Sequence, residues 1–482
     1  MKIAIIGAGW YGCHLALILK KAGYDVTLFE KNDQILSGIS GTFGIRLHRG
    51  PHYLSSLLTR LCCQKDFDAF CKMYPEFIEQ LTHSIYAHGL IDSSGNPSKA
   101  SKEKFEAVCK ETLSCQSLNI ENTPYKGVDS VMDLDEPSIV IGDRLRELFS
   151  KRLKEAGVTV LCKSSIEDIK SLPEGTILID RQGNSSEFDY TINATSYQQF
   201  IPKNIKENFP VDMDVVYQPC LGLKYRDRTP GDKPFSFIVM DGWFPCVMPC
   251  IEDNPFKHEY ILTHGAFTIQ ASSNTPGEAY EVLNKITDAY IYDEVKKRSE
   301  NEIERFWPEF IKRFEFIGVT KAVLAKIKTK TEFRSAVTFE SGRIIQIIPG
   351  KISNVMSVGP EVEALIKGEQ CLSENGIRFM KDGVLDLART EIKTKPEPGE
   401  PNTCTLDTFA ELTKTSFALP TQPAEPNTGN SSLEPQPLPT GSVESLTPNL
   451  NSNFHSSYSF FPPVNLPSDS QGELNTSLAC CQ

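Results

Sequence analysis

Ile3-Ala4-Ile5-Ile6-Gly7-Ala8-Gly9-Trp10-Tyr11-Gly12, close to the start of a 482-residue chain, decides the fold. Ile3 to Ile6 have the unbroken apolar character of a strand covered on both faces, and Gly7, Gly9 and Gly12 follow in the order GxGxxG. Gly7 permits the tight turn, Gly9 lets a pyrophosphate reach backbone N–H groups at a helix N-terminus, and Gly12 allows the helix to pack closely on the strand. The helix that follows carries Leu15, Leu19 and Ala22. After Gly23, the segment Tyr24 to Phe29 reads as a second strand ending at Glu30, where an acid accepts hydrogen bonds from both ribose hydroxyls. Together these form a dinucleotide-binding βαβ unit. An acid at this place disfavours the 2′-phosphate of NADP, but the pattern alone does not separate FAD from NAD.

The rest of the chain is long enough for two or three domains and needs no disulfide or metal to hold its core. A net charge of −12 argues against a nucleic-acid partner, and 40% apolar residues is ordinary for a globular protein. The glycines interrupt the apolar start, so it is not read as a signal peptide, and no later segment approaches the roughly 20 apolar residues of a membrane span. A cytosolic location is expected. The 14 cysteines include no CxxC and no zinc-spaced Cys/His cluster, so they are read as free thiols and no metal is expected. Cys246 and Cys250 match no thiol–disulfide motif and are read as packing residues.

Residues 142–156 repeat apolar positions at helical spacing, with Leu145, Leu148, Phe149 and Leu153 on one face, and a strand follows Gly157. TILID and DYTINA read as further strands of the same parallel sheet. FSFIVM and EYILTH, then helices over EAYEVLNKITDAYI and around EIERFWPEFIKRF, read instead as an inserted domain. From about residue 385, Pro, Ser, Thr and Asn dominate, and such a segment cannot bury enough apolar surface to offset its ordering entropy.

Three further segments carry a resemblance to the FAD-dependent oxidoreductases of the D-amino-acid-oxidase type, which include glycine oxidases and flavin glycerol-3-phosphate dehydrogenases. Ser40-Gly41-Thr42-Phe43-Gly44-Ile45-Arg46-Leu47-His48-Arg49-Gly50-Pro51-His52-Tyr53 resembles the family's flavin-contacting loop. The helix at 142–156, the strand near 158–162 and Ile166 resemble its adenine-gripping segment. Tyr190-Thr191-Ile192-Asn193-Ala194-Thr195-Ser196 resembles a strand ending in Ala-Thr-Gly, with Ser196 where the glycine stands. Glu332-Phe333-Arg334-Ser335, Gly342-Arg343-Ile344 and Ile348-Pro349-Gly350-Lys351-Ile352-Ser353-Asn354 resemble the family's return to the flavin, where a helix N-terminus near Ser353 faces the edge that gains negative charge on reduction. Gly359-Pro360 predicts that this helix is short.

The resemblance, which covers roughly residues 1–370, implies an α/β fold, an FAD-binding Rossmann-like domain with an inserted α+β substrate domain, to which the composition beyond 385 adds a disordered C-terminal tail. The boundaries expected are 1–75, 140–205 and 326–384 for the FAD-binding domain, 76–139 and 206–325 for the substrate domain, and 385–482 for the tail. Gly7, Gly9, Gly12, Glu30, Ser40, Gly41, Thr42, Ile166, Ala194, Thr195, Gly350, Lys351, Ser353 and Asn354 are the cofactor-binding candidates. Arg46, His48, His52, Tyr53 and Arg334 are the catalytic candidates, since an arginine binds a carboxylate bidentately and a His or Tyr handles the reacting proton. Trp243 and His264, in the insert, are candidates for its flavin-facing side. The partner expected is a small-molecule substrate, with Pro-rich pieces such as Glu434 to Pro439 suited to a protein groove. Two other readings stay open: a flavoprotein scaffold with reduced activity and a partner-binding tail, motivated by Ser196, and a non-redox flavoenzyme of the sugar-nucleotide mutase type, motivated by Arg46 and Arg49.

Overall fold

Lys2–Ile6 lies near the centre of the first of two eight-stranded sheets, parallel to Asp25–Phe29 on one side and to Tyr190–Asn193 on the other. Thr159–Leu161 and Ile344–Ile348 extend this core in parallel, and Val337–Ser341, Ile377–Met380 and Cys371–Glu374 continue it antiparallel. The computed structural model describes residues 1–383 except 44, 113, 197–214, 328–332, 370, 375 and 382. The tail expected from 385 lies outside the described residues.

The helices Trp10–Lys21, Leu57–Met73, Gly142–Glu155 and Val355–Lys367 share one apolar cluster with this sheet. Trp10 is its hub, with ring centroids of Phe70, Tyr74, Phe77 and Phe149 4.6 to 5.4 Å away. Burying each such ring stabilises the fold by about 1.5–3 kcal/mol. Because Trp10 directly follows the glycine loop, this packing also fixes where the loop sits.

The second sheet runs in the order Phe314–Ile327, Val215–Asp227, Glu259–His264, Pro245–Pro249, Ser236–Met240, Ser84–Gly89, Val128–Leu134, Cys115–Ser117. Its pairings are antiparallel apart from Ser236–Met240 with Ser84–Gly89. One face packs on Phe306, Trp307 and Phe310. A small ladder of Ile45–Arg46, Ser138–Ile139 and Ile78–Glu79 sets Arg46 opposite Ser138.

Several expectations are corrected. TILID does not extend the parallel sheet: Gly175–Asp180 is the middle of a separate antiparallel ribbon with Ile166–Leu172 and Ser185–Phe188. A short apolar run does not distinguish a core strand from a ribbon strand covered on one side. The helix after Ser353 is not cut short: Val355–Lys367 runs through Pro360, with Val355, Val358, Val362, Leu365 and Ile366 buried. Gly359 lets this helix pack closely on Trp10–Lys21, since a Cβ there would stand 3.1 Å from the His14 ring. The two helices expected over EAYEVLNKITDAYI and around EIERFWPEFIKRF are each divided. Pro276–Lys285 stops where the Thr287 hydroxyl accepts the Tyr290 N–H and starts a new turn, and Lys297–Phe306 stops before Pro308.

Candidate active site

A cavity of about 1010 Å³ extends from the glycine loop to the second sheet. Gly7, Gly9, Glu30, Ser40, Thr42, Ile166, Ala194 and Thr195 line one region of it. Gly7 has φ +97°, and a Cβ there would come within 2.9 Å of the Ala194 carbonyl, so the turn and the neighbouring strand end both require glycine. A Cβ on Gly9 would reach to 3.3 Å from the Ser40 hydroxyl, which accepts the Trp10 N–H. The Glu30 carboxylate sits at the end of the second strand, accepting the Ala8 N–H at 3.0 Å and the Asn32 side-chain amide at 2.7 Å. Ser196, at the place of the missing glycine, adopts the left-handed conformation with φ +69°.

Arg46, His48, His52, Tyr53, Arg334, Gly350, Lys351 and Ser353 also line the cavity. The Arg46 side chain is 4% exposed, yet its Nε and Nη1 have no hydrogen-bond partner, and the same holds for Nη1 of Arg334. The Arg334 backbone is tied to Leu57–Met73 through its N–H to the Thr59 hydroxyl. Lys351 holds its ammonium 4.4 Å from the centre of the Tyr53 ring. Burial is the main cause that pushes His48 and His52 well below the ordinary imidazole range, with Lys351 and Arg46 adding to it in both. Both imidazoles are therefore neutral at neutral pH. Nδ1 of His48 accepts the Gly50 N–H, which leaves its proton on Nε2, whereas Nδ1 of His52 has no partner.

Gly12, Gly41 and Asn354 do not line the cavity; they shape its walls. A Cβ on Gly12 would collide with the Gly7 carbonyl and one on Gly41 with the Leu36 carbonyl. Asn354 accepts the Lys351 N–H at 2.9 Å and donates to Asp66 at 3.0 Å. Burial pushes Asp66 up from the ordinary carboxylate range, opposed by its bonds from Ser357 and Asn354. Trp243, His264 and Cys246 line the cavity from the second sheet and the loop beside it; burial pushes His264 down to about 3 and Cys246 up to about 11. Cys250 is a buried free thiol.

Sequence reasoning missed Tyr11, Glu136, Tyr86 and Lys326. Tyr11 donates to the Lys351 carbonyl and accepts the Gly350 N–H, and Lys326 lines the cavity. Tyr86 and Glu136 stand beside Arg46. None of these contacts is local in sequence, so no spacing signal announces them.

The chain belongs to the FAD-dependent oxidoreductases. The family model described as FAD dependent oxidoreductase matches residues 2–222. The chain is 44% identical over 419 residues to the FAD-dependent monooxygenase kojA of Aspergillus flavus, covering 86% of this chain and 98% of the relative. It is 28% identical over 377 residues to the FAD-dependent monooxygenase FPY4 of Fusarium mangiferae, covering 76% and 92%. In fold it is similar to glycine oxidase from Geobacillus kaustophilus, with a TM-score of 0.58 at 13% identity over 82% of this chain and 99% of that one. FAD is the cofactor, and the cavity fits it. The glycine turn, the acid at Glu30 and the glycine at 350, where a Cβ would collide with the Ser335–Ala336 backbone, make a cradle that side chains would fill. Among the described residues, no helix is long and apolar enough to cross a membrane.

Proposed function

We propose that the chain oxidises a small amine or hydroxy-acid substrate by hydride transfer to flavin N5. The observation that carries this reading is that Arg46 and Arg334, with guanidinium N–H groups lacking an acceptor, share one cavity with two neutral imidazoles. FAD supplies the two-electron acceptor when bound. Gly7, Gly9, Ser40, Thr42, Ala194 and Thr195 hold the dinucleotide, Glu30 the ribose and Ile166 the adenine, while Gly350, Lys351 and Ser353 hold the ring end. Residues 76–139 and 206–325 select the substrate.

In this reading Arg46 and Arg334 orient the substrate by its carboxylate through charge-assisted hydrogen bonds. His52, uncharged and with an unengaged Nδ1, accepts the proton lost from the amine or hydroxyl, and His48 donates from Nε2. Tyr53 and Trp243 exclude water. Arg46→Ala and Arg334→Ala should each lower kcat/KM by about 10- to 100-fold, mostly through KM, as loss of a hydrogen bond to a charged group predicts. His52→Gln should lower kcat instead. Unchanged kinetics in the arginine variants would remove the carboxylate from this account.

The names of the relatives favour a second reading, in which molecular oxygen enters the product. Labelled oxygen in the product would select monooxygenation; label confined to reduced oxygen species or water would select simple oxidation.

A further inference from the structure

Arg46 reaches the cavity from the two-residue strand Ile45–Arg46. Its guanidinium lies 4.5 Å from the centre of the Tyr86 ring. Beside it stands a buried carboxylate that does not pair with it closely: Oε2 of Glu136 is 3.9 Å from Nε of Arg46, beyond hydrogen-bond range. The reason is visible in the carboxylate's other bonds. Oε2 accepts the Tyr86 hydroxyl at 2.6 Å and Oε1 accepts the Arg49 N–H at 2.8 Å. Tyr86 thus acts at both ends of the pair, its ring supporting the cation and its hydroxyl restraining the anion.

We propose that Glu136 is a restrained counter-charge that sets the affinity of Arg46 for an anionic substrate group, with Tyr86 as the positioning residue that keeps the two apart. The proposal rests on Arg46 facing the substrate. A closed Arg–Glu pair would leave few donors for an incoming carboxylate, and a lone buried guanidinium would be costly to desolvate. A charge held just out of hydrogen-bond range offsets the burial of Arg46 and leaves its Nε and Nη1 without a hydrogen-bond partner.

The two neighbours then have opposite effects. Tyr86→Phe releases Oε2 of Glu136 to close on Arg46, so an anion binds more weakly. Glu136→Gln removes the competing charge while keeping an acceptor, so an anion binds more tightly. A merely structural role for either residue would weaken binding in both variants.

The test is titration of the FAD-loaded enzyme with benzoate, read from the visible flavin band, with benzamide as the neutral counterpart. The expected result is a benzoate Kd about tenfold lower in Glu136→Gln and about tenfold higher in Tyr86→Phe, with benzamide unmoved. Shifts in the same direction, no shift, or equal effects on benzamide overturn the proposal. If Glu136→Gln does not accumulate as holoenzyme, Tyr86→Phe decides: weaker benzoate binding with unchanged benzamide binding supports it, and unchanged benzoate binding overturns it. Flavin reduction by an amine or hydroxy acid without the opposed benzoate shifts would remove this inference and leave the proposed activity standing. Opposed shifts in an enzyme that no donor reduces would do the reverse.

Discussion

The Tyr11 hydroxyl donates a 2.5 Å hydrogen bond to the Lys351 carbonyl, 340 residues away, and accepts one from the Gly350 N–H. The phenol therefore joins the glycine loop to the cavity-lining turn at Gly350 and Lys351. Tyr11→Phe leaves a half-buried carbonyl and N–H without their partner, a loss of about 1 kcal/mol. We expect weaker FAD retention, measured as a higher Kd by flavin fluorescence, together with a lower melting temperature of the holoenzyme.

Glu30 is the second handle on the cofactor. Glu30→Gln keeps the shape but removes the charge that would accept ribose hydroxyls, and the FAD Kd should rise about tenfold or more, as loss of a charged acceptor predicts. An unchanged Kd would mean that the carboxylate serves only the Ala8 and Asn32 amides it now binds.

Ser196 holds φ +69° at the place where the resemblance led us to expect glycine. The left-handed conformation costs an L-residue about 1–2 kcal/mol, partly regained when glycine's extra unfolded entropy is counted. Ser196→Gly should therefore raise stability slightly, by about 0.5 kcal/mol. A clear loss of stability or of bound FAD would show that the serine hydroxyl, not the backbone shape, is what the site uses there.

Acid should destabilise the protein through buried histidines. His14 is 1% exposed, bonds the Tyr74 hydroxyl through Nδ1 at 2.7 Å, and is pushed by burial from 6.5 down to about 3. Because its folded pKa is depressed, the unfolded chain takes up the proton first. The stability His14 contributes is complete above pH about 6.5 and is lost towards pH about 3, at about 1.4 kcal/mol per pH unit. Glu340 runs the other way between about 7 and 4.5, since burial raises its carboxyl to about 7. The wild-type advantage in melting temperature over His14→Gln should accordingly shrink from pH 6.5 to 4.5; a constant difference would contradict it.

Much of this was legible in the sequence because it is local. The strand, glycines, helix, strand and acid from Ile3 to Glu30 lie within one βαβ unit, so their order and spacing can be read in that one stretch. The loop from Ser40 to Tyr53 was singled out by its resemblance to the family's flavin-contacting loop, and its Ser40, Thr42, Arg46, His48, His52 and Tyr53 line the cavity. What escaped was long-range: Tyr11 gripping Lys351, Asp66 gripping Asn354, and Glu136 standing off from Arg46 join segments that only the folded chain brings together. Pro360 misled because helix-breaking is a local rule, and the buried face from Val355 to Ile366 outweighs one missing backbone hydrogen bond.

The most direct test of the central claim is anaerobic titration of the purified, FAD-loaded protein with amino acids, other small amines and 2-hydroxy acids, followed at the visible flavin band. Bleaching by at least one of these donors, restored by air, is the predicted result. A flavin band that stays oxidised with every donor would contradict the proposed activity and favour the scaffold or mutase reading.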